Sequence, residues 1–470
     1  MDQPFELAQV ADQLFPNLDL GDPRRDRRFR TVVQEMARKP GQSLPQIFPD
    51  VSQYHACLRL FDAPPCSHER ICAAHQTAVL DRLKTTDRPI LLLHDTTHLD
   101  FSGHTTLEND LGQIGNGGGR GWLAHHTLAV DPSNRVVFGL LSQILHVRPQ
   151  VPKNEPVKQR RERQNRESRL WMAGLDALGP TPPGACWIDV CDRGADTFEF
   201  LFELVERQRR FVVRSKFNRA LGCTNSQTKA TALLHDTMRG LAATSTWDLT
   251  LPGRAGQPPR VAHLSAVAQR LTIRPPHVCK GKYVKKSLEM TVVRVWEANP
   301  PAGVEALEWL LLTSETVTCE ADLRRVADWY ACRMQIEEYH KVQKSGLAVE
   351  GCQMRTVARV GAYVAITSIL AVALMNLRLA ARDPAWKDQP ATRFVPELWI
   401  KVLRIGQGSA ALNSRRSELT VAEFWVGLAR LGGYQKNPTK HPPGWITLWR
   451  GWMKLQLFLE FHEKLARAKL

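Results

Sequence analysis

Pro89–Asp95, PILLLHD, and Cys186–Asp192, CWIDVCD, decide the fold of this chain. Each is a short apolar run closed by a carboxylate, which reads as a buried strand that carries an aspartate to the mouth of a sheet. Outward from the first, LAHHTLAVD (123–131) and VVFGLLSQILHV (136–147) follow after Gly- and Asn-containing turns and predict two more strands. A charged helix over about Val157–Leu178 leads into the second run. A helix from about Ala195 to Gln208 and the strand RFVVRS (210–215) come after it. Three strands, helix, strand, helix, strand is the element order of a ribonuclease-H-like α/β sheet.

The flanks have a different texture. Up to about Leu83 the chain predicts short helices, among them the arginine-dense DPRRDRRFRTVVQEMARK (22–39). Between about Asn218 and Leu312 it turns Pro-, Gly- and Thr-rich, yet STWDLTL (245–251), RVAHLSAVAQRLTI (260–273) and LEMTVVRVW (288–296) alternate as strands do, which predicts an inserted antiparallel β-sheet. After Ser314 the pattern is helical, over about Glu320–Lys344, Arg359–Ala381, Thr420–Leu431 and Trp445–Ala468. The expected division is a helical N-terminal domain at 1–85, a catalytic domain at 86–358 with its β-rich insertion at about 218–312, and a helical C-terminal domain at 359–470.

Composition narrows the partner. The 470 residues carry 63 Lys and Arg against 47 Asp and Glu, a formal charge of +16, which favours a polyanion and makes nucleic acid the leading candidate. The ten cysteines form no CxxC pair and no zinc-spaced cluster, and read as buried or free thiols. The opening MDQPFELAQVADQLF lacks a basic start followed by an apolar run, so a cytoplasmic location is expected, with association with the nucleoid when bound to DNA. Val360–Met375 is shorter than the roughly 20 residues that span a bilayer and is read as a buried core helix, with no membrane partner. GQIGNGGGRG (112–121) has no Walker lysine pattern, so ATP binding is not expected.

Asp95 and Asp192, at the ends of two apolar strands, are the start of a metal site. Hard divalent cations take oxygen ligands, commonly one or two carboxylates with phosphate and water. A third carboxylate comes from EADLRRVADWYACRMQIEEYHKVQKSG (320–346), in which Tyr330, Arg333, Glu337 and Lys344 fall at Y-x2-R-x3-E-x6-K spacing. On one continuous helix these steps share an arc of about 60°, whereas Glu338 lies about 100° round from Glu337 and takes a salt-bridging or solvated role. Phosphodiester cleavage needs two metals about 3.5–4 Å apart, one for the attacking and one for the leaving oxygen. Arg333 and Lys344 suit the flanking phosphates, the first as a fork and the second as a point charge, and Tyr330 offers a hydroxyl.

These segments together resemble the insertion-sequence-four family of cut-and-paste DDE transposases. The resemblance runs through LGDPRR (20–25), ACLRLF (56–61), HDTTHLDFSG (94–103), VCDRGAD (190–196), RFVVRSK (210–216), EWLLLTSE (308–315), the Tyr330–Lys344 motif, LARLGGY (428–434) and GWITLWRGWMKLQ (444–456). It implies a Mg²⁺-dependent enzyme, with Mn²⁺ able to substitute, holding two ions on Asp95, Asp192 and Glu337. It implies DNA contacts by Tyr330, Arg333 and Lys344 near the cleaved bond, a base stacked on Trp309, and phosphate contacts at Arg214 and Lys216. It further implies that the helical start binds transposon ends, that excision passes through a DNA hairpin, that the 3′ ends join target DNA, and that two copies act as a homodimer.

Arg24, Arg25, Arg27, Arg28 and Arg30 suit docking along a phosphate backbone. Trp449 and Trp452, three residues apart, suit either a stripe for a partner helix or core packing, with Trp445 nearby. Two rival readings stay open: a catalytically inactive DNA-binding relative acting as a transposition inhibitor or regulator, and a two-metal nuclease that cuts without joining.

Overall fold

A computed structural model describes residues 9–149, 166–222, 232–251, 259–276, 283–284, 286–407, 418–438 and 441–468. The start of the expected 157–178 helix and most of LPGRAGQPPR (251–260) and KGKYVKK (280–286) lie outside these residues.

The chain opens with helices α1 (Val10–Leu14), α2 (Pro23–Arg38), α3 (Leu44–Ile47), α4 (Val51–Phe61) and α5 (His68–Leu83). The sequence of α2 dictates its start and its orientation. Asp22 caps it by accepting from the Arg24 N–H, and Pro23 occupies the first turn, where no amide is needed. Phe29, Val32, Val33, Met36 and Ala37 recur at helical spacing and are buried, which turns Arg24, Arg25, Arg27 and Arg30 outward.

The middle of the chain builds one ten-stranded sheet. Its strands are β1 (Ile90–Asp100), β2 (Gly112–Gln113), β3 (Arg120–Val130), β4 (Val137–His146), β5 (Trp187–Cys191), β6 (Arg210–Arg214), β7 (Ser245–Leu251), β8 (Arg260–Ile273), β9 (Leu288–Glu297) and β10 (Glu308–Thr313). The order is β2-β3-β1-β5-β6-β10-β9-β8-β7, with β4 also paired to β3. β1 pairs antiparallel with β3 and parallel with β5, and β5 pairs parallel with β6. The inserted strands are antiparallel, as their alternation predicts, but they do not stand apart. β10 pairs with β6 on one side and β9 on the other, so β7–β10 continue the central sheet.

Helix α6 (Leu170–Leu178) packs on β1, β3 and β4, and α7 (Phe198–Glu206) connects β5 to β6. A short α8 (Leu234–Arg239) lies against β8 and β9. Helices α9 (Glu320–Ala331) and α10 (Met334–Lys341) are followed by a π-helical turn at Val342–Gly346. Then come α11 (Val357–Ala380), α12 (Glu397–Gln407), α13 (Val421–Leu431) and α14 (Trp445–Ala468). Helix α11 is long and apolar enough to cross a membrane, yet its most apolar window is wholly buried, packed on β4 and α5 as a core helix.

One expectation is corrected. The segment 320–344 is not one helix: it breaks at Cys332–Arg333 and loosens into the π turn, so Tyr330, Arg333, Glu337 and Lys344 do not share a single straight face. Of the two readings left open for the tryptophans of α14, core packing is the one found: Trp445, Trp449 and Trp452 are all buried, with Trp445 stacked on Trp449 at 5.3 Å and Trp452 edge-on to Trp399.

Candidate active site

The register of the central strands sets the site. His94 on β1 is the last residue paired with β5, opposite Cys191, so Asp95 and Asp192 are the next residues on two parallel neighbours, whose backbones run about 4.8 Å apart. A polar row pins that register. Asp189 on β5 takes the Arg209 fork at 2.7 and 2.8 Å and pairs with His94 Nε2 at 2.9 Å, while His94 Nδ1 meets Thr127 on β3 at 3.1 Å. Side chains alternate along a strand, so Asp95 points to the face opposite His94.

On that face lies α10. Its Glu337 comes close to Asp95: ligand-capable atoms of Asp95, Glu337 and His340 all lie within 4.8 Å of one another. Arg333, at the break before α10, spans the two carboxylates, 3.2 Å from Asp95 Oδ2 and 3.1 Å from Glu337 Oε1. Asp95 is nearly buried and also accepts from the Thr96 N–H at 2.9 Å. Asp192 caps the following turn by accepting from the Gly194 N–H at 2.8 Å.

The electrostatics follow from crowding. Burial pushes the Asp95 carboxyl up to about 7; Arg333 opposes the rise, and the charges of Asp192 and Glu337 add to it. One guanidinium thus leaves the pocket with surplus negative charge. Asp95 and Glu337 offer carboxylate oxygens, the donors a hard divalent cation takes, and with His340 they lie close enough together to hold a metal ion.

The other expected site residues are distributed around this centre. Tyr330 is buried, edge-on to Trp309 of β10 at 5.2 Å, with the Arg214 guanidinium 6.0 Å above its ring. Arg214 also donates to the Glu308 carbonyl at 2.9 Å. Lys344, in the π turn, pairs with Glu350 at 3.4 Å. Lys216 Nζ lies 5.5 Å from the centre of the Phe217 ring, and its backbone N–H donates to Asp196 at 2.6 Å. Glu338 has the salt-bridging role expected of it, with Arg378 at 2.8 Å, and it also accepts from the Trp445 indole at 2.6 Å.

On α2, Arg28 donates to Gln53 and Arg30 pairs with Asp12 at 3.4 Å, while Arg24, Arg25 and Arg27 are exposed. The pattern of charges did not single out His126, Gln143 and His340, which are buried directly behind the carboxylates. The His125–His126 pair inside an apolar strand and the step of three from Glu337 to His340 were the available signals.

Residues 8–66 match the transposase DNA-binding family model. The match spans α1 to α4, including every arginine of the basic run on α2. The start of this chain is therefore a DNA-binding segment of the transposase kind, and DNA is its partner.

Proposed function

We propose that the chain is a DNA transposase that binds transposon ends, cuts DNA at Asp95, Asp192 and Glu337 and joins the 3′ ends to target DNA. One observation carries the reading: a transposase DNA-binding segment shares a chain with two aspartates at the ends of adjacent parallel strands and a helix glutamate beside the first of them, Asp95. The run β4-β3-β1-β5-β6, antiparallel over the first three strands and parallel over the last three, supports a ribonuclease-H-like core. On this reading residues 1–85 grip the ends, 86–358 do the chemistry, and 359–470 bring two copies together.

Asp95, Asp192 and Glu337 would hold two Mg²⁺ ions, or Mn²⁺, whose chemistry is to activate the attacking oxygen and stabilise the leaving one. The chain's own residues do the rest. Arg333 balances charge in the pocket, and its fork suits a phosphate as well as a carboxylate. Lys344 places a point charge one turn beyond α10, in a π turn, a geometry common at functional sites. Trp309 and Tyr330 present an aromatic pair beside Arg214, which supports the stacking of an extruded base while a hairpin forms. Helix α14 leaves Ile446, Met453, Leu457 and Phe461 exposed at steps of seven, four and four, one face that supports dimerisation through a second copy.

Joining separates this reading from its rivals. Full-length protein, Mg²⁺ and DNA with a pre-cut end bearing a free 3′ hydroxyl should yield that end covalently linked to a target plasmid. Cutting without joining would favour a nuclease, and binding without either would favour the inactive regulator.

A further inference from the structure

Behind the carboxylates runs a line of polar side chains, half-buried at its outer end and buried along the rest. It starts at His68 on α5, crosses the sheet at Gln143 on β4 and His126 on β3, and ends at His340 on α10. His68 Nε2 lies 3.1 Å from Gln143 Oε1, Gln143 Nε2 lies 2.7 Å from His126 Nε2, and His126 Nδ1 lies 3.1 Å from His340 Nε2. His340 in turn presents a ring nitrogen within 4.8 Å of the Asp95 and Glu337 oxygens. Burial lowers the pKa of His68, His126 and His340, that of His340 to about 3, which keeps the rings neutral.

A neutral ring has one N–H and one lone pair, so each link holds a single proton, and the direction of one link fixes the rest. Ser368 supplies that direction. Its hydroxyl donates to the Val364 carbonyl at 2.6 Å, so it can only accept from the amides of Gln143 and Gln343, at 2.7 and 2.6 Å. The nitrogen of Gln143 therefore faces Ser368 and His126, and its oxygen faces His68. His126 accepts at Nε2 and donates from Nδ1. His340 accepts at Nε2 and carries its own proton on Nδ1.

We infer that His340 is a positioning residue for the acidic cluster and not a metal ligand, with its tautomer set through the sheet by His126, Gln143 and Ser368. One ring nitrogen is occupied by the His126 N–H and the other is protonated, so no lone pair remains for a cation. What His340 has to offer the neighbouring carboxylates is a proton donor. The inference rests on the proposed cation site, and it keeps the ligand set to oxygen atoms, as Mg²⁺ prefers.

The test reads metal binding by the full chain, with Mn²⁺ titrations followed by electron paramagnetic resonance and melting curves for every variant. His340→Ala should weaken Mn²⁺ binding at least about tenfold, the usual cost of losing a partner that orients a ligand. His340→Asn, whose amide N–H falls near the Nδ1 position, should keep most of the affinity. In Gln143→Glu a carboxylate can only accept, so the links from residue 143 to His126 and from His126 to His340 reverse, while His68 still donates, and His340 Nδ1 gains a free lone pair. The Co²⁺ over Mg²⁺ affinity ratio should then rise about tenfold as an imidazole joins the ligands.

Unchanged binding in a folded His340→Ala protein would overturn the inference, as would equal losses in the Ala and Asn variants. If His340→Ala fails to fold, an unchanged Co²⁺ over Mg²⁺ ratio in Gln143→Glu overturns it instead. Glu337→Gln separates the two levels. If it too leaves Mn²⁺ binding intact, the cation site itself fails and the inference with it; if it weakens binding and His340→Ala does not, the inference alone is wrong.

Discussion

Asp95 is the residue on which the site's electrostatics turn. Burial, helped by Asp192 and Glu337, raises its carboxyl to about 7 from an ordinary 3.8. Between those values the folded chain binds a proton that the unfolded chain has released, so this residue makes stability fall as pH rises through that window. We predict that, in chelator-treated protein, Asp95→Asn melts higher than wild type at pH 8 and shows little difference at pH 4. A lower melting temperature at pH 8 would mean that pairing with Arg333 outweighs the cost of burial. Asp95, Asp192 and Glu337 were legible in the sequence because each aspartate closes an apolar run and the glutamate sits in a spaced motif. His340 and Gln143 were not, because a buried polar chain is defined by partners on four different elements that no local spacing relates.

At the scale of elements, alternation and helical periodicity located most strands and most helices, since both patterns are properties of short windows. They did not locate the break before α10 or the π turn after it, because both depend on what packs there. Gly346 ends that turn against the ring of Trp449 from α14, where a Cβ on Gly346 would fall 2.2 Å from the indole. A methyl group there overpacks the interface, at a cost of about 1–3 kcal/mol. Gly346→Ala should therefore lower the melting temperature and expose α14 to limited proteolysis, and unchanged values would show that the turn and Trp449 are not coupled. The three tryptophans of α14 were ambiguous for a related reason: a spacing of three residues makes a stripe but does not say which side of the helix the rest of the chain covers.

Across the whole molecule, one hydrophobic cluster runs from Val10 on α1 through the central sheet to Leu459 on α14, so the DNA-binding start and the carboxylates are parts of one packed body. The net charge announced DNA, and the exposed arginines of α2 give that charge a place. Replacing Arg24, Arg25 and Arg27 together by Ala should weaken DNA binding and reduce the slope of log affinity against log salt by about 0.9 for each phosphate the variant no longer neutralises. The melting temperature should not move, because these side chains face solvent. An unchanged salt slope would show that the protein grips the phosphates elsewhere.

The most direct measurement of the central claim is Mg²⁺-dependent strand cleavage on DNA carrying the element's own ends, run beside a binding assay, for wild type, Asp192→Asn and Glu337→Gln. We predict that wild type cuts, that cutting falls in both variants by a factor of about 100 or more, and that all three bind the ends alike, because removing an anchoring carboxylate removes several kcal/mol of charge stabilisation. Cleavage that survives in both variants, with binding intact, would contradict the assignment of these carboxylates as the catalytic centre.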